Sequence, residues 1–391
     1  MKRCYLNAMA TLSAMGNSSE QVCKVLKSGQ SRLTQTDRFS LGRSLPLGLY
    51  EGKLPDISFV EPKWQSRNNR FALAAICQMR NEIDAAVRRY GASRVGVVIG
   101  TSTSGIGDSE NFLIQRAKSG QVPEGYDYGL QEMGATAAFV AKQLNVSGPV
   151  FGISTACSSG SKALASARRL LRSGICDAVI AGGVDTLCHL TVQGFSALEA
   201  VSEQPCNPFS RHRNGINIGE AAALFLVTGE AQGVELIGVG ESSDAHHISA
   251  PDPTGAGAVR CMSAALDDAG ITAEKISYIN LHGTATALND QMEARAVDEV
   301  FGAEVHCSST KPFTGHTLGA AGALEAAICC LALEEGFMPV HHWDGAFDPE
   351  LPMINLVAEP NTGQVPKYML SNSFAFGGNN ISLILRRSNE V

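Results

Sequence analysis

The stretch "ISTACSSGSKALASARRLLRSG", Ile153 to Gly174, has a counterpart downstream in "SSTKPFTGHTLGAAGALEAAICCLALEEG", Ser308 to Gly336. Each passes through a Ser-Thr turn, continues as a helix of small residues and ends on glycine. The segments ahead of them match as well. "VVIGTSTSG" ends at Gly105 and "INLHGTATA" at Ala287, each a buried strand running into Gly-Thr. A strand, turn and helix that occur twice in the same order predict two similar α/β units facing each other. The spacing from Gly100 to Ser154 exceeds that from Gly283 to Ser309, so the first unit carries an insertion, placed at about 105–145. The expected halves are residues 1–230 and 231–391. Further strands are read at "DAVIAGGV" (Asp177–Val184) and "ISLILRR" (Ile381–Arg387), with helical patterns between strands, so the class is α/β.

The bulk composition narrows the function. The chain has 391 residues, 44% apolar and 18% charged, enough for a large core. A net charge of -7 argues against a nucleic-acid binder, which would show a basic stripe. Eleven cysteines with no CxxC pair indicate a reducing compartment, the cytoplasm, and mostly inert thiols. No run of 18 apolar residues occurs, so no membrane span is expected. "MKRCYLNAMATLSAMG" is broken by Asn7, Thr11 and Ser13 and reads as a first strand and turn rather than a leader.

Within the opening stretch, Cys157 stands among small polar residues. Apolar residues follow at Ala163, Leu164, Ala167, Leu170 and Leu171, which is helical spacing. Cys157 is thus expected at a helix N-terminus, where unpaired N–H groups and the helix dipole would lower its pKa. A buried structural cysteine is the plainer alternative. Two histidines bear on the choice. His282 ends the strand "YINLH", and His316 lies in "KPFTGHTLGAAGALE", at matching ends of the repeated units. Together they suggest a Cys-His-His site, with Lys311, five residues before His316, as a fixed charge.

The motifs "TACSSG", "HGTATALND", "STKPFTGHTLGAAGALEA" and "NSFAFGGNN" occur in this order across nearly the whole chain. In these the sequence resembles the elongating β-ketoacyl-acyl carrier protein synthases of the thiolase-like superfamily. "VVIGTSTSGIGDSE" is most similar to ketosynthases of aryl-polyene pathways. The resemblance implies a five-layered α-β-α-β-α body and decarboxylative condensation of an acyl group on Cys157 with malonyl-carrier protein. It implies that His282 and His316 stabilise an enolate, that Lys311 keeps the site electropositive, and that the N–H groups of Cys157 and the gatekeeper Phe376 form an oxyanion hole. It further implies that Thr284 and Thr286 contact the pantetheine arm, that Asp290 and Glu293 support the site, and that Ile106 and Phe195 wall the acyl pocket. No metal or other cofactor is implied beyond the phosphopantetheine that carries the substrates. The implied partners are an acyl carrier protein and a second ketosynthase chain, as a homodimer or with a chain-length-factor-like subunit.

Some positions depart from the family pattern. Ala375 replaces a glycine before the gatekeeper, "GGNN" replaces "GGTN", and "NPFSRHRNGINIGEAAALF" (Asn207–Phe225) differs at Ser210, Asn214 and the alanines after Glu220. These bear on substrate range. Competing readings are a thiolase or initiating enzyme, which would want a second reactive cysteine or an asparagine, a papain-like protease, and a non-catalytic chain-length partner, which would lack the cysteine. Zinc at His246-His247 or His341-His342 is a weaker alternative, since neither pair has cysteine spacing. The carrier protein is expected on Arg67 and Arg70, with Arg116 and Lys118 as a second patch. The dimer is expected through the insertion and its neighbouring strand, using the small apolar face of "GATAAFVAKQLN" (Gly134–Asn145).

Overall fold

A computed structural model describes residues 2–360 and 363–388. The first half runs β1 (Tyr5–Leu12), α1 (Ser19–Ser28), a small hairpin of β2 (Thr34–Thr36) and β3 (Leu45–Leu47), then α2 (Arg67–Gln78) and α3 (Arg80–Tyr90). It continues through β4 (Val95–Gly100), α4 (Ile106–Ser119), α5 (Ala135–Leu144), β5 (Val150–Ile153), α6 (Ser159–Arg172), β6 (Ala178–Asp185), α7 (His189–Ala197) and β7 (Ala221–Thr228). The second half runs β8 (Val234–Ser243), α8 (Ala256–Ala269), β9 (Tyr278–Asn280), α9 (Ala287–Phe301) and β10 (His306–Ser308). The one-turn α10 (Lys311–Thr314), α11 (Ala321–Glu335), β11 (Asn355–Leu356), β12 (Tyr368–Phe374) and β13 (Asn379–Arg387) complete it.

The strand order repeats. In the first half it is β5-β4-β6-β7-β1; in the second it is β10-β9-β12-β13-β8, with β11 added at the edge. Pairing repeats too: β4 is parallel to β5 and β6, and β9 to β10 and β12; the added edge strand β11 is parallel to β10, and the remaining neighbours are antiparallel. A short β1–β8 contact at Tyr5 and Leu6 joins the two sheets. The insertion consists of α4 and the loop after it, because α5 occupies the place that α9 holds in the second half.

The layers follow from the two-residue period of strands. Val98, Val179, Ala181, Ala223 and Phe225 face a core that also holds α6, α11 and the inner side of the second sheet. Their neighbours Val97, Ile99, Ile180, Ala222 and Leu224 face α2, α3 and α5. On the far side, Ile279, Leu370 and Ile384 pack on α8 and α9. The result is helix, sheet, paired helices, sheet, helix. From Ala321 to Leu333 every α11 residue is buried, as expected of a helix clasped between two sheets.

The two central helices meet at their N-terminal ends because small residues allow it. A Cβ on Gly160 would come within 2.8 Å of Ala323 N, and one on Gly322 within 2.1 Å of Ser161 Oγ. This close approach brings the turn before α6 against the turn before α11. One expectation changes here. The apolar face of α5 is spent within the chain, since Ala137, Phe139, Val140, Ala141 and Leu144 all belong to the core against α2 and the first sheet. What the first sheet leaves open is its edge strand β5, with Phe151 38% exposed. No helix among the described residues is long and apolar enough to cross a membrane.

Candidate functional site

Cys157 lies in the turn between β5 and α6, two residues before the helix starts. Ala156, just ahead of it, adopts φ 52°, a left-handed conformation that L-residues seldom take. Ser159 holds the turn: its Oγ accepts from Thr155 N at 2.9 Å and donates to Ala156 O at 2.6 Å. The same strain recurs beside the other motifs, at Ala285 (φ 65°) between the two threonines and at Leu318 (φ 49°) after His316. Strained backbone gathered on three segments around one point marks a place where geometry is held against local preference.

The three segments deliver Cys157, His282 and His316 to one buried spot. His316 Nε2 is 2.9 Å from Cys157 Sγ. The two imidazole rings lie 5.4 Å apart, nearly perpendicular at 82°. Lys311, 1% exposed, donates through Nζ to the carbonyl of His282 and to Glu325 Oε1 at 2.6 Å. Its Nζ also stands 3.5 Å from His282 Nδ1. A nitrogen that faces an ammonium must offer its lone pair, so His282 carries its proton on Nε2.

Burial sets the charge states. Both histidines are held well below their ordinary pKa, first by desolvation and then by the Lys311 charge, so both are neutral imidazoles. The Cys157 thiol is pushed up to about 11 by burial, against the opposing pull of Lys311 and the Phe376 N–H. This corrects the expected lowering at a helix N-terminus: desolvation outweighs the dipole, and the resting group is a thiol. The Phe376 and Cys157 backbone N–H groups both bear on the sulfur.

The supporting carboxylates act on backbone. Glu293 accepts from His282 N and Gly283 N, both at 2.7 Å, and Asp290 accepts from Phe209 N at 2.8 Å and Ala285 N at 3.2 Å. Burial raises their pKa values to about 7 and about 6. A cleft of about 430 Å³ is lined by Cys157, His282, His316, Thr284, Thr286, Phe195 and Phe376, among others. Thr284 and Thr286 join through their hydroxyls at 2.9 Å, and the Phe195 and Phe376 rings lie 5.6 Å apart. Ile106, half-buried at the start of α4, is not among the lining residues. Ala375 sits at φ -99°, ψ 153°, which any residue adopts, and the positive-φ positions of the gatekeeper turn are Gly377 and Gly378.

Two expected surface features change. Arg67 is clamped bidentately on the buried Glu220, at 2.9 and 2.5 Å, and Arg70 donates to Pro55 O at 2.9 Å and Leu54 O at 3.3 Å. These donors are engaged within the chain. His341 uses both ring nitrogens, accepting from Ser309 N at 3.1 Å and facing Pro208 O at 3.1 Å, so neither is left for zinc. Among the described residues, one group of three or more such side chains has ligand atoms all within 4.8 Å of one another, and it is Cys157, His282 and His316 themselves. The adjacent Lys311 charge and the neutral thiol make that trio a poor cation site.

Several partners escaped the sequence reading. Glu325, four residues into α11, neutralises Lys311. Asp185, at the end of β6, accepts from Thr101 Oγ1 (2.6 Å), Thr103 N (3.0 Å) and Gly319 N (2.6 Å), tying the first-half loop to the segment after His316. An isolated carboxylate inside an apolar run was the available signal for both.

Comparison with known proteins agrees with this geometry. Residues 5–232 match the family model for the β-ketoacyl synthase N-terminal domain, and residues 234–342 that for the β-ketoacyl synthase C-terminal domain. The chain is 33% identical to 3-oxoacyl-[acyl-carrier-protein] synthase 2 of Staphylococcus aureus (strain COL), covering 99% of this chain and 98% of that protein. It is similar to the ketosynthase ApeO from Xenorhabdus doucetiae, solved in complex with its chain length factor ApeC, at 42% identity and TM-score 0.94, over 99% of this chain and 98% of that one. It is also similar, at 25% identity and TM-score 0.87 over 99% of each chain, to the structure of a type II PKS acyl-carrier protein in complex with its ketosynthase bound to the hexaketide. With a cysteine turn, two buried histidines and a doubled sheet all in the expected order, the chain belongs to the β-ketoacyl synthase family.

Proposed function

We propose that Cys157 accepts an acyl group from the phosphopantetheine of an acyl carrier protein and condenses it with malonyl-carrier protein, releasing CO2 and a β-ketoacyl thioester. As a family member the protein is an acyltransferase of the 3-oxoacyl-[acyl-carrier-protein] synthase kind, acting in fatty acid or polyketide elongation. The observation that carries the residue assignment is the buried trio, His316 Nε2 2.9 Å from Cys157 Sγ with the His282 ring 5.4 Å from that of His316.

In the first half-reaction the Cys157 sulfur attacks the acyl thioester carbon. The C–S bond to pantetheine breaks, and the thiol proton leaves with the pantetheine sulfur. The N–H groups of Cys157 and Phe376 receive the tetrahedral oxyanion. In the second, the carboxylate C–C bond of the malonyl thioester breaks and its electron pair moves to the thioester oxygen. That oxygen is met by Nε2–H of His282 and of His316. Since His316 Nδ1 has no partner among the described residues, it is better left as a lone pair than as a stranded N–H, which puts the proton on Nε2. The enolate carbon then attacks the acyl-Cys157 carbonyl, and the cysteine leaves as thiolate and recovers a proton from water. The chemistry calls for no cofactor beyond the carrier's arm.

Thr284 and Thr286 are assigned to the pantetheine arm, Phe195 and Ile106 to the acyl chain beyond the Phe376 gate, and residues 1–230 and 231–391 to the two functional halves. We assign the chain to the cytoplasm, to aryl-polyene elongation, and to a dimer with itself or with a chain-length-factor-like subunit formed along the open edge of β5. Arg116 and Lys118, exposed in the last turn of α4, are offered to the acidic carrier protein. The test is intact mass after incubation with acyl-carrier proteins, together with labelled CO2 from malonyl-carrier protein. Acyl mass on Cys157 and CO2 release are expected; acylation at another residue would overturn the assignment. Native mass spectrometry with and without a chain-length subunit decides the dimer.

A further inference from the structure

We infer that Arg67 and Glu220 form a positioning pair for His316, an inference that rests on the function proposed above. His282 and His316 are oriented by different means. His282 has Lys311 beside its Nδ1 and on its carbonyl, and Glu293 on its N–H. Among the described residues His316 has no partner at Nδ1, although that atom is buried. Its ring is therefore aimed by its backbone, together with the Cys157 contact and the edge-on packing against the His282 ring.

That backbone is held by one segment, residues 217–220. His316 N donates to Asn217 O at 2.5 Å and Gly219 N donates to His316 O at 3.0 Å, a parallel bridge centred on Ile218. On its other side the segment is bonded to the chain after β3: Gly48 N donates to Ile218 O and Glu220 N to Gly48 O, both at 2.9 Å. The end of the segment is fixed by the Glu220 side chain, fully buried, which accepts from Arg67 Nε and Nη2, from Tyr50 N at 3.1 Å and from Leu187 N at 3.3 Å. Arg67 itself opens α2, and its Nη2 also donates to Tyr50 O at 3.3 Å. A rigid guanidinium fork on a buried carboxylate thus ties α2 and residues 48–50 to the strip that carries His316. Displacing that strip moves Nε2 relative to Cys157 Sγ and to the enolate oxygen, with nothing at Nδ1 to restore it.

The experiment uses the full chain with malonyl-carrier protein and follows kcat and KM for CO2 release, alongside thermal midpoints and alkylation of Cys157 by iodoacetamide. The variants are Arg67→Lys, Glu220→Gln and the double Arg67→Gln/Glu220→Gln. The double variant leaves no buried charge unpaired, so it serves where a single change does not fold. Expected is a loss of about 10- to 100-fold in kcat, the scale of an ångström-sized misplacement, with KM within about twofold. Arg67→Lys, which keeps the charge and loses the fork, should fall in between. A lowered midpoint with parental kcat and KM would make the pair structural only and overturn the inference. So would a raised KM with unchanged kcat, which would return Arg67 to carrier docking. A parent protein that releases no CO2 would count against the proposed function instead, a result distinct from either.

Discussion

The two halves have one strand order and spend their central helices differently. In the first, β5 passes through residues 154–158 straight into α6, and the turn carries a single reactive group, Cys157. In the second, β10 is separated from α11 by residues 309–320, and this longer passage carries both Lys311 and His316. The first helix supplies a nucleophile with its N-terminus open to the site. The second supplies a cation, a neutral donor and, inside the helix, the counter-charge Glu325. On the function proposed above, a duplicated scaffold divides the two steps of one reaction, acyl transfer on one side and stabilisation of the enolate on the other. They meet because Gly160 and Gly322 let the helices touch.

If that division is real, the steps separate on mutation. The largest effect is expected from Cys157→Ala: no acyl-enzyme and no ketoacyl product, with CO2 still released from malonyl-carrier protein. Normal product from this variant would dissolve the comparison altogether. Next come His282→Ala and His316→Ala, each expected to slow labelled CO2 release by about 100- to 1,000-fold, the usual cost of one oxyanion donor. Acyl mass should still appear on Cys157, at least in part. Unchanged CO2 release in both variants would move the enolate to other groups.

The second half also holds an ion pair with both partners buried, Lys311 and Glu325, whose loss should show in stability. Lys311→Met leaves Glu325 without its partner and should cost about 3–5 kcal/mol in chemical denaturation. Glu325→Gln keeps an acceptor for Nζ and should cost less. Equal costs would mean that the ammonium is not held chiefly by Glu325.

Acid offers a finer test. His282 and His316 have folded pKa values depressed below the ordinary 6.5. The unfolded chain therefore binds their protons first. Their contribution to stability is present above about pH 6.5 and is lost as pH falls, by about 1.4 kcal/mol per pH unit for each ring once well below that value. Asp290 and Glu293, raised to about 6 and about 7, act in the opposite sense, weakening the fold as pH rises from about 4 through those values. Denaturation of the parent and of His282→Asn/His316→Asn between pH 5 and 7.5 isolates the histidine part. The double variant should show the shallower loss toward acid; parallel curves would mean that the rings titrate in the fold as they do in the unfolded chain.

The smallest effect concerns the cleft wall. Thr286→Val removes one hydroxyl partner from Thr284 and from the arriving arm. A rise of about 2- to 10-fold in KM for carrier-bound substrate is expected, on the scale of a single hydrogen bond. Unchanged KM, measured under the same conditions, would free the threonines from any role in binding the arm.

Much of this molecule could be read before folding was considered. The repeat around Gly100 and Gly283, the helix after Cys157 and the strand ending at His282 are properties of short stretches, where period and residue size act locally. So is the chemistry of a cysteine and two histidines at equivalent ends of a repeat. The tertiary structure decided what depends on residues distant in the chain and on exclusion of water. It made Arg67 the partner of Glu220 and placed the apolar face of α5 in the core. It gave Lys311 a counter-charge in Glu325, and joined the first-half loop to the His316 segment through Asp185. It also reversed the expected state of Cys157. A helix N-terminus is visible in sequence and favours the thiolate. Whether water reaches the sulfur is not, and desolvation acts on the charge more strongly than the first turn of a helix dipole.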